Sequence, residues 1–370
     1  MAIYIVFYVA MLFPGVWAII KKPLWLHKAL LIFMFLSLWL FCGFRNEVGP
    51  DWGSYKEILT YDFSFWQIVS MQAVKEAAVE PLYLLLEWAV KLFNGGINEL
   101  NIILCLITLI LVFKTLRRLE CFPLLGVLIF MAHGYFFLFS QLRQGIAIGL
   151  FFYAVPYIQE GNFKKYLIFM LLATGFHFSA LVLIPLYFLF RKRFPYFYIV
   201  PFIFLSIVFQ QIHAVNLILT ALVNLTGNPI LVKYYELYIV KKLFEGNATL
   251  TTLMVEWLGW LVVLTVFKKR LLEVHPHFNV FYNISWIGLC LYIAFADIAV
   301  FARIAGYFRV SFMVLLPCIL YLMKDTMHKV FFFIIITIFI FIRWYTPIKS
   351  DETSDGKNRF VPYRNIILGT

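Results

Sequence analysis

Residues 166–190 read YLIFMLLATGFHFSALVLIPLYFLF, and the topology of the chain turns on how often they cross a membrane. Lys164 and Lys165 precede the run, and Arg191, Lys192 and Arg193 follow it. As one span it puts His177 at mid-membrane and the two basic clusters on opposite sides. As two half-helices meeting around Gly175–Ser179, it brings both clusters to one side. The same choice arises at Leu82–Phe93, a short run interrupted by Glu87 and Lys91 and closed by Asn94-Gly95-Gly96. A crossing needs about 20 apolar residues for ~30 Å of hydrocarbon, so this piece is expected to be re-entrant or interfacial. With both pieces folded back, the clusters at 21–28, 114–118, 164–165, 191–193 and 268–270 share one side. The whole net charge of +12 then lies inside, as the positive-inside bias requires.

Composition agrees. The chain has 370 residues, 63% hydrophobic and only 14% charged, with a mean hydropathy of +0.89; soluble domains carry about 25% charged residues. The expected fold is an all-α polytopic integral membrane protein with about 10–12 membrane helices, re-entrant and half-helices included. It is read as one transmembrane domain over residues 1–370. External loops are expected at about 45–80 and 214–250, an external tail at 346–370, and a short surface helix near Phe63–Glu76. Ile3–Ile20 lacks a basic n-region and a small-residue cleavage site, and reads as a retained first span. The five cysteines (Cys42, Cys105, Cys121, Cys290, Cys318) stand singly along the chain. Without a CxxC or Cys/His cluster, neither disulfides nor a metal are expected, and no cofactor is implied. The basic charge sits in loops between spans, which points to the membrane surface and not to nucleic acid.

Polar residues then converge on the outer side. The charge-free run Ala29–Phe44 ends in Arg45-Asn46-Glu47-Val48-Gly49-Pro50-Asp51-Trp52-Gly53-Ser54-Tyr55, where Gly49, Pro50 and Gly53 stop the helix. In this topology Arg143, His177, Asp297, Arg303, Arg309, Tyr363 and Arg364 reach the same side. Arg309 falls one turn inside a span, and a charge at membrane depth marks a function by default. Taken one at a time the bland readings stand: Arg303 and Arg309 snorkelling or pairing with Asp297, His177 tying its hairpin, Asp51 holding an Asx turn, Glu80 capping the helix after it. Taken together, several arginines and one histidine suit a lipid-linked diphosphate. Guanidinium forks match phosphate oxygens, fixed positive charge stabilises a departing diphosphate, and a histidine or carboxylate can deprotonate an attacking sugar hydroxyl. Trp52, Tyr55 and Tyr135 are candidates to stack on sugar rings.

Arg45-x-x-x-Gly49-x-Asp51-x-x-x-Tyr55, Glu80-Pro81 and Leu142-Arg143-Gln144-Gly145-Ile146-Ala147 occur in that order. Phe176-His177-x-Ser179-Ala180, Arg303-Ile304-x-x-Tyr307-Phe308 and Val361-Pro362-Tyr363 follow. From about residue 40 to 365 the chain thus resembles the EpsG-like branch of Wzy polysaccharide polymerases, which make O-antigen, capsule and exopolysaccharide. The resemblance implies a GT-C-like membrane glycosyltransferase in the bacterial cytoplasmic (inner) membrane. It would join undecaprenyl-diphosphate-linked oligosaccharide units at the periplasmic or extracytoplasmic face, without a metal, alongside a flippase and a chain-length regulator. Carried onto this chain, the expected catalytic residues are His177, with Asp51 as second candidate base, and Arg143. The expected substrate contacts are Arg45, Tyr55, Gln144, Arg303, Arg309 and Tyr363. A ligase joining finished glycan to another acceptor would use similar groups. A flippase or transporter for lipid-linked glycan is disfavoured, because the charges lie on one rim and no inverted repeat is visible.

Overall fold

The computed structural model describes residues 1–19, 23–227, 252–296, 303–350 and 358–367, with single positions at 232, 235, 236 and 369. Asp297, residues 228–231 and most of the remainder of the expected loop up to 251, and tail residues 351–357 lie outside the described residues. The chain forms two compact units. The first comprises Met1–Tyr187 and Phe312–Thr370, and the second Phe188–Ser311.

In chain order the first unit holds α1 (Ala2–Val16), α2 (Leu24–Gly43), α3 (Trp52–Ile58), α4 (Phe65–Val69), α5 (Gln72–Ala77) and α6 (Pro81–Leu92). Then come α7 (Ile97–Leu119), α8 (Pro123–His133), α9 (Phe137–Ser140), α10 (Leu142–Gln159), α11 (Phe163–Phe176) and the start of α12 (Leu183–Arg191). The second unit contains α13 (Ile199–Gln211), α14 (Ala214–Thr226), α15 (Thr252–Val266), α16 (Lys268–Val274), α17 (Phe278–Ala294) and α18 (Ala305–Arg309). α19 (Phe312–Cys318) and α20 (Thr326–Ser350) return to the first unit. Among the described residues there is no strand, only an isolated bridge between Arg45 and Asn365. Among the described residues four helical stretches are long and apolar enough to cross a membrane: Leu24–Gly43, Ile97–Leu119, Ala305–Leu322 and Thr326–Lys349. The pair α13 and α14, bent by 59°, makes a fifth if counted as one broken span. Five shorter apolar helices accompany them. The protein is an all-α polytopic membrane protein.

Residues 163–191 fold back on themselves. α11 ends at Phe176, His177 takes extended backbone angles, and a 3₁₀ turn over Phe178–Val182 leads into α12. The Tyr166 hydroxyl donates to the carbonyl of Leu183 at 2.8 Å, and the Phe163 and Tyr166 rings meet Tyr187. As α11 runs from Phe163 to Tyr166 its partners step back from Tyr187 to Leu183, the antiparallel sense of two halves folded together. α6 stops after Leu92, where Asn94 takes a left-handed φ of 57° before Gly95-Gly96; inside it the Glu87 carboxylate pairs with Lys91 at 3.0 Å. Pro81 at its first position presets the helical φ.

Several boundaries differ from the sequence reading. The surface helix near Phe63–Glu76 is two pieces, α4 and α5, the first closed by a Ser64–Gln67 capping box. The turn expected at Ser140–Gly145 is largely helical, since α10 begins at Leu142. The loop expected from residue 214 starts instead as α14, whose apolar residues continue the helix after a break at His213. Four of the five cysteines, single in sequence, pair in space: Cys42 Sγ lies 3.2 Å from Cys105 Sγ, and Cys121 Sγ 3.1 Å from Cys318 Sγ, all as free thiols.

α2 and α7 run antiparallel, fastened at one end by the turn that leaves α2. Arg45 is 1% exposed. Its Nε donates to Val48 O, Nη1 to Cys42 O and Asn101 Oδ1, and Nη2 to Phe139 O. The Trp52 and Phe139 rings lie 5.3 and 5.0 Å from the guanidinium carbon. Gly49 sits at φ +110, and a Cβ there would fall 2.0 Å from the carbonyl oxygen of Phe139; only glycine fits. The chain's last described stretch straps this turn down. Asn46 N donates to Arg364 O, Ile366 N to Phe44 O, and Gly49 N to Arg359 O.

Candidate functional site

Three segments of the first unit, distant in sequence, meet at Glu80. It is the residue before α6; Arg143 stands in the first turn of α10, and His177 closes α11. Arg143 Nη1 donates to Glu80 Oε2. Glu80 Oε1 lies 2.8 Å from His177 Nδ1 and accepts from Phe178 N at 3.2 Å. A carboxylate accepts only, so Nδ1 carries a proton, and in the neutral imidazole Nε2 is the nitrogen that holds the lone pair. Burial opposes the charge on Glu80, but the hydrogen bond from His177 and the nearby Arg143 charge outweigh it and hold the carboxyl below its usual value. That charge therefore stabilises the fold above the ordinary carboxylate range, and the contribution is lost as pH falls through the lowered value.

The layering matters for chemistry. The Glu80 side chain is 5% exposed, whereas Arg143 and His177 are 24% and 29% exposed. The acid lies beneath; the cation and the imidazole are reachable. Arg143 is framed by the rings of Tyr55 and Tyr83, at 6.0 and 5.8 Å. Its backbone N–H, unpaired within the first turn of α10, points at the Tyr55 hydroxyl at 3.4 Å. Tyr83 is fully buried, and among the described residues its hydroxyl has no hydrogen-bond partner.

The spacing of α6 and α11 sets the Glu80–His177 contact, and Gly175 sets the spacing. A Cβ on Gly175 would lie 2.6 Å from Leu82 Cδ1. Gly175→Ala is expected to cost roughly 1–3 kcal/mol through overpacking and to depress activity by separating the two helices. Leu82→Ala in the same chain should restore part of both, measured by thermal unfolding and product formation. No recovery in the double variant would mean that Gly175 matters for another reason.

The other expected site residues fall as follows. Arg143, His177 and Tyr55 are together. Gln144, the next residue of α10, is buried, and Asp51 is half-buried at the N-cap of α3 with no side-chain capping bond. Arg45, expected on the substrate, is sealed under the turn with its donors on protein acceptors. Tyr363, also expected there, is buried; its hydroxyl donates to Phe41 O at 2.7 Å and its ring stacks on Phe41 at 4.5 Å. Arg303 is exposed on a turn and Arg309 half-buried at the end of α18, both in the second unit. Trp52 and Tyr135, candidate sugar platforms, are buried at 6% and 0%. Glu80, expected to cap the helix through its dipole, stands at the N-cap of α6 without a side-chain capping bond, and its carboxylate also serves Arg143 and His177. The clue was a carboxylate placed just before Pro81 at the head of a helix too short to cross.

No curated protein and no solved structure matches the chain. The EpsG family model matches residues 28–365, a stretch that contains Tyr55, Glu80, Tyr83, Arg143 and His177, and the chain belongs to the EpsG family.

Proposed function

We propose that the protein is a membrane glycosyltransferase that lengthens a polysaccharide by joining lipid-diphosphate-linked oligosaccharide units at the extracytoplasmic face of the bacterial cytoplasmic membrane. Membership of the EpsG family supports a polysaccharide-polymerase type of function. The observation that carries the finer reading is the single buried carboxylate of Glu80, shared by Arg143 and His177. His177 Nε2 takes the proton from a hydroxyl of the acceptor sugar as its oxygen attacks the anomeric carbon of the donor. The bond from that carbon to the diphosphate oxygen breaks, and the undecaprenyl diphosphate leaves with the electron pair. Arg143 faces the negative charge that builds on the leaving group, the usual large term in such catalysis. Glu80 fixes the imidazole tautomer and steadies the imidazolium once formed. Asp51 remains the second candidate base and Gln144 and Tyr55 proposed sugar or phosphate contacts, while Arg303 and Arg309 remain proposed substrate contacts. A guanidinium matches phosphate oxygens bidentately and offsets part of a diphosphate's charge without a metal. A flippase supplying units and a chain-length regulator are the partners this role calls for.

Purified protein supplied with a lipid-diphosphate oligosaccharide is expected to yield a ladder of lengthening lipid-linked glycans, unchanged by chelator. Transfer only to a second added acceptor would make the protein a ligase. Absence of either product from folded protein would overturn the assignment.

A further inference from the structure

At the other end of the α2–α7 pair, about 25 Å from Arg45 at 1.5 Å per residue, lies a cavity of about 640 Å³. Its walls include His27, Lys28, Arg117 and Glu120, where α2 begins and α7 ends. A second space of about 280 Å³ shares Lys28, Leu31 and Arg117 with it and continues along Ile32, Phe35 and Phe113. The Phe35 and Phe113 rings meet edge to face at 5.3 Å, closing the gap between the two helices. Ile32 is 59% exposed, so this slot opens where lipid tails lie. Among the described residues neither Lys28 nor Arg117 has an ion-pair partner, unlike neighbouring Arg118, which is held by Glu160. Lys28, Arg117 and His27 thus line the head-space with one carboxylate, that of Glu120. A charged head-space therefore opens directly into an apolar slot.

We propose that this cavity binds an anionic phospholipid, with its phosphate between Lys28 and Arg117 and an acyl chain over Ile32, Phe35 and Phe113. Basic pockets between membrane helices suit such headgroups, and the positive-inside bias makes this the cytoplasmic leaflet. A free phosphate would satisfy the cations but leave the apolar slot without a role. A bound lipid would link the ends of α1, α2 and α7 across the membrane from Glu80, independently of the proposed chemistry.

The test is native mass spectrometry on the full chain in detergent, with phosphatidylglycerol, phosphatidylcholine of the same acyl chains, or inorganic phosphate added. Phosphatidylglycerol should be retained preferentially, by about fivefold per cation engaged, and phosphate should not displace it. The double variant Lys28→Gln, Arg117→Gln should lose the preference. Ile32→Trp, which fills the slot and keeps both charges, should also weaken retention. Equal retention of both lipids by the wild type overturns the proposal, whether or not the variants fold. So does displacement by phosphate, which would mean a small-anion site, or a preference that survives in the double variant.

Discussion

Glu80→Gln is expected to lower kcat for chain lengthening by roughly 10²–10⁴ while leaving KM for the lipid-diphosphate donor nearly unchanged. The amide oxygen can still accept from His177 Nδ1 and Phe178 N, so the imidazole stays held; the NH2 that replaces Oε2 cannot accept from Arg143, which the Tyr55 and Tyr83 rings still frame. The amide cannot offset the positive charge that appears on the imidazole when Nε2 takes a proton, and that loss is felt only in the transition state. Arg143→Ala is the contrasting variant. It strips charge from the diphosphate in ground and transition states alike, so KM should rise as kcat falls. His177→Ala should match Glu80→Gln in kcat, and the double variant should cost little beyond either single one, because the two act as a unit. Additive losses, or a Glu80→Gln defect expressed in KM, would remove Glu80 from its positioning role. Steady-state kinetics on lipid-linked glycan, read beside thermal unfolding, separates these cases.

Arg45→Met should be the most destabilising substitution, costing about 3–5 kcal/mol. The side chain is buried and its donors reach Val48, Cys42, Asn101 and Phe139. Methionine restores much of the volume but takes the Arg45 donors from all four oxygens, of which Cys42 O keeps Asn101 Nδ2 and Asn101 Oδ1 keeps the Cys105 thiol. Lysine keeps the charge, yet its compact ammonium cannot span acceptors set around a planar fork, so Arg45→Lys should recover only a small part. Unfolding temperature in detergent checks both. A wild-type melting curve with lost activity would return Arg45 to the substrate, where its position in the motif had put it.

That contrast shows what the sequence discloses. Hydropathy and the basic clusters identify an all-helical membrane protein, and the fold-back at Gly175–Ser179 follows from charge bias alone. His177 and Arg143 are legible because a charge at the end of an apolar run has to contact something. What it contacts is not legible. Arg45 and Arg143 look alike in sequence, each at the boundary of an apolar run beside a glycine. One is swallowed by backbone carbonyls and the other stays reachable, and only the tertiary arrangement of residues such as Asn101 and Glu80 decides which. Glu80 was discounted for a local reason: a carboxylate before a helix start satisfies the dipole without any partner. Its partners lie 63 and 97 residues away, beyond any pattern of periodicity. α14 was hidden because a helix bent by 59° looks, in hydropathy, like a span followed by a loop.

The strap over the turn after α2 also dictates the order of assembly. Tyr363 reaches back 322 residues to Phe41, and Asn365 pairs with Arg45. During synthesis the turn that roofs Arg45 must wait for nearly all of the later helices to emerge before its last hydrogen bonds can form. A ribosome that stops short of residue 358 releases a chain with its helices inserted but that turn unlatched, a difference that a membrane protease could sense.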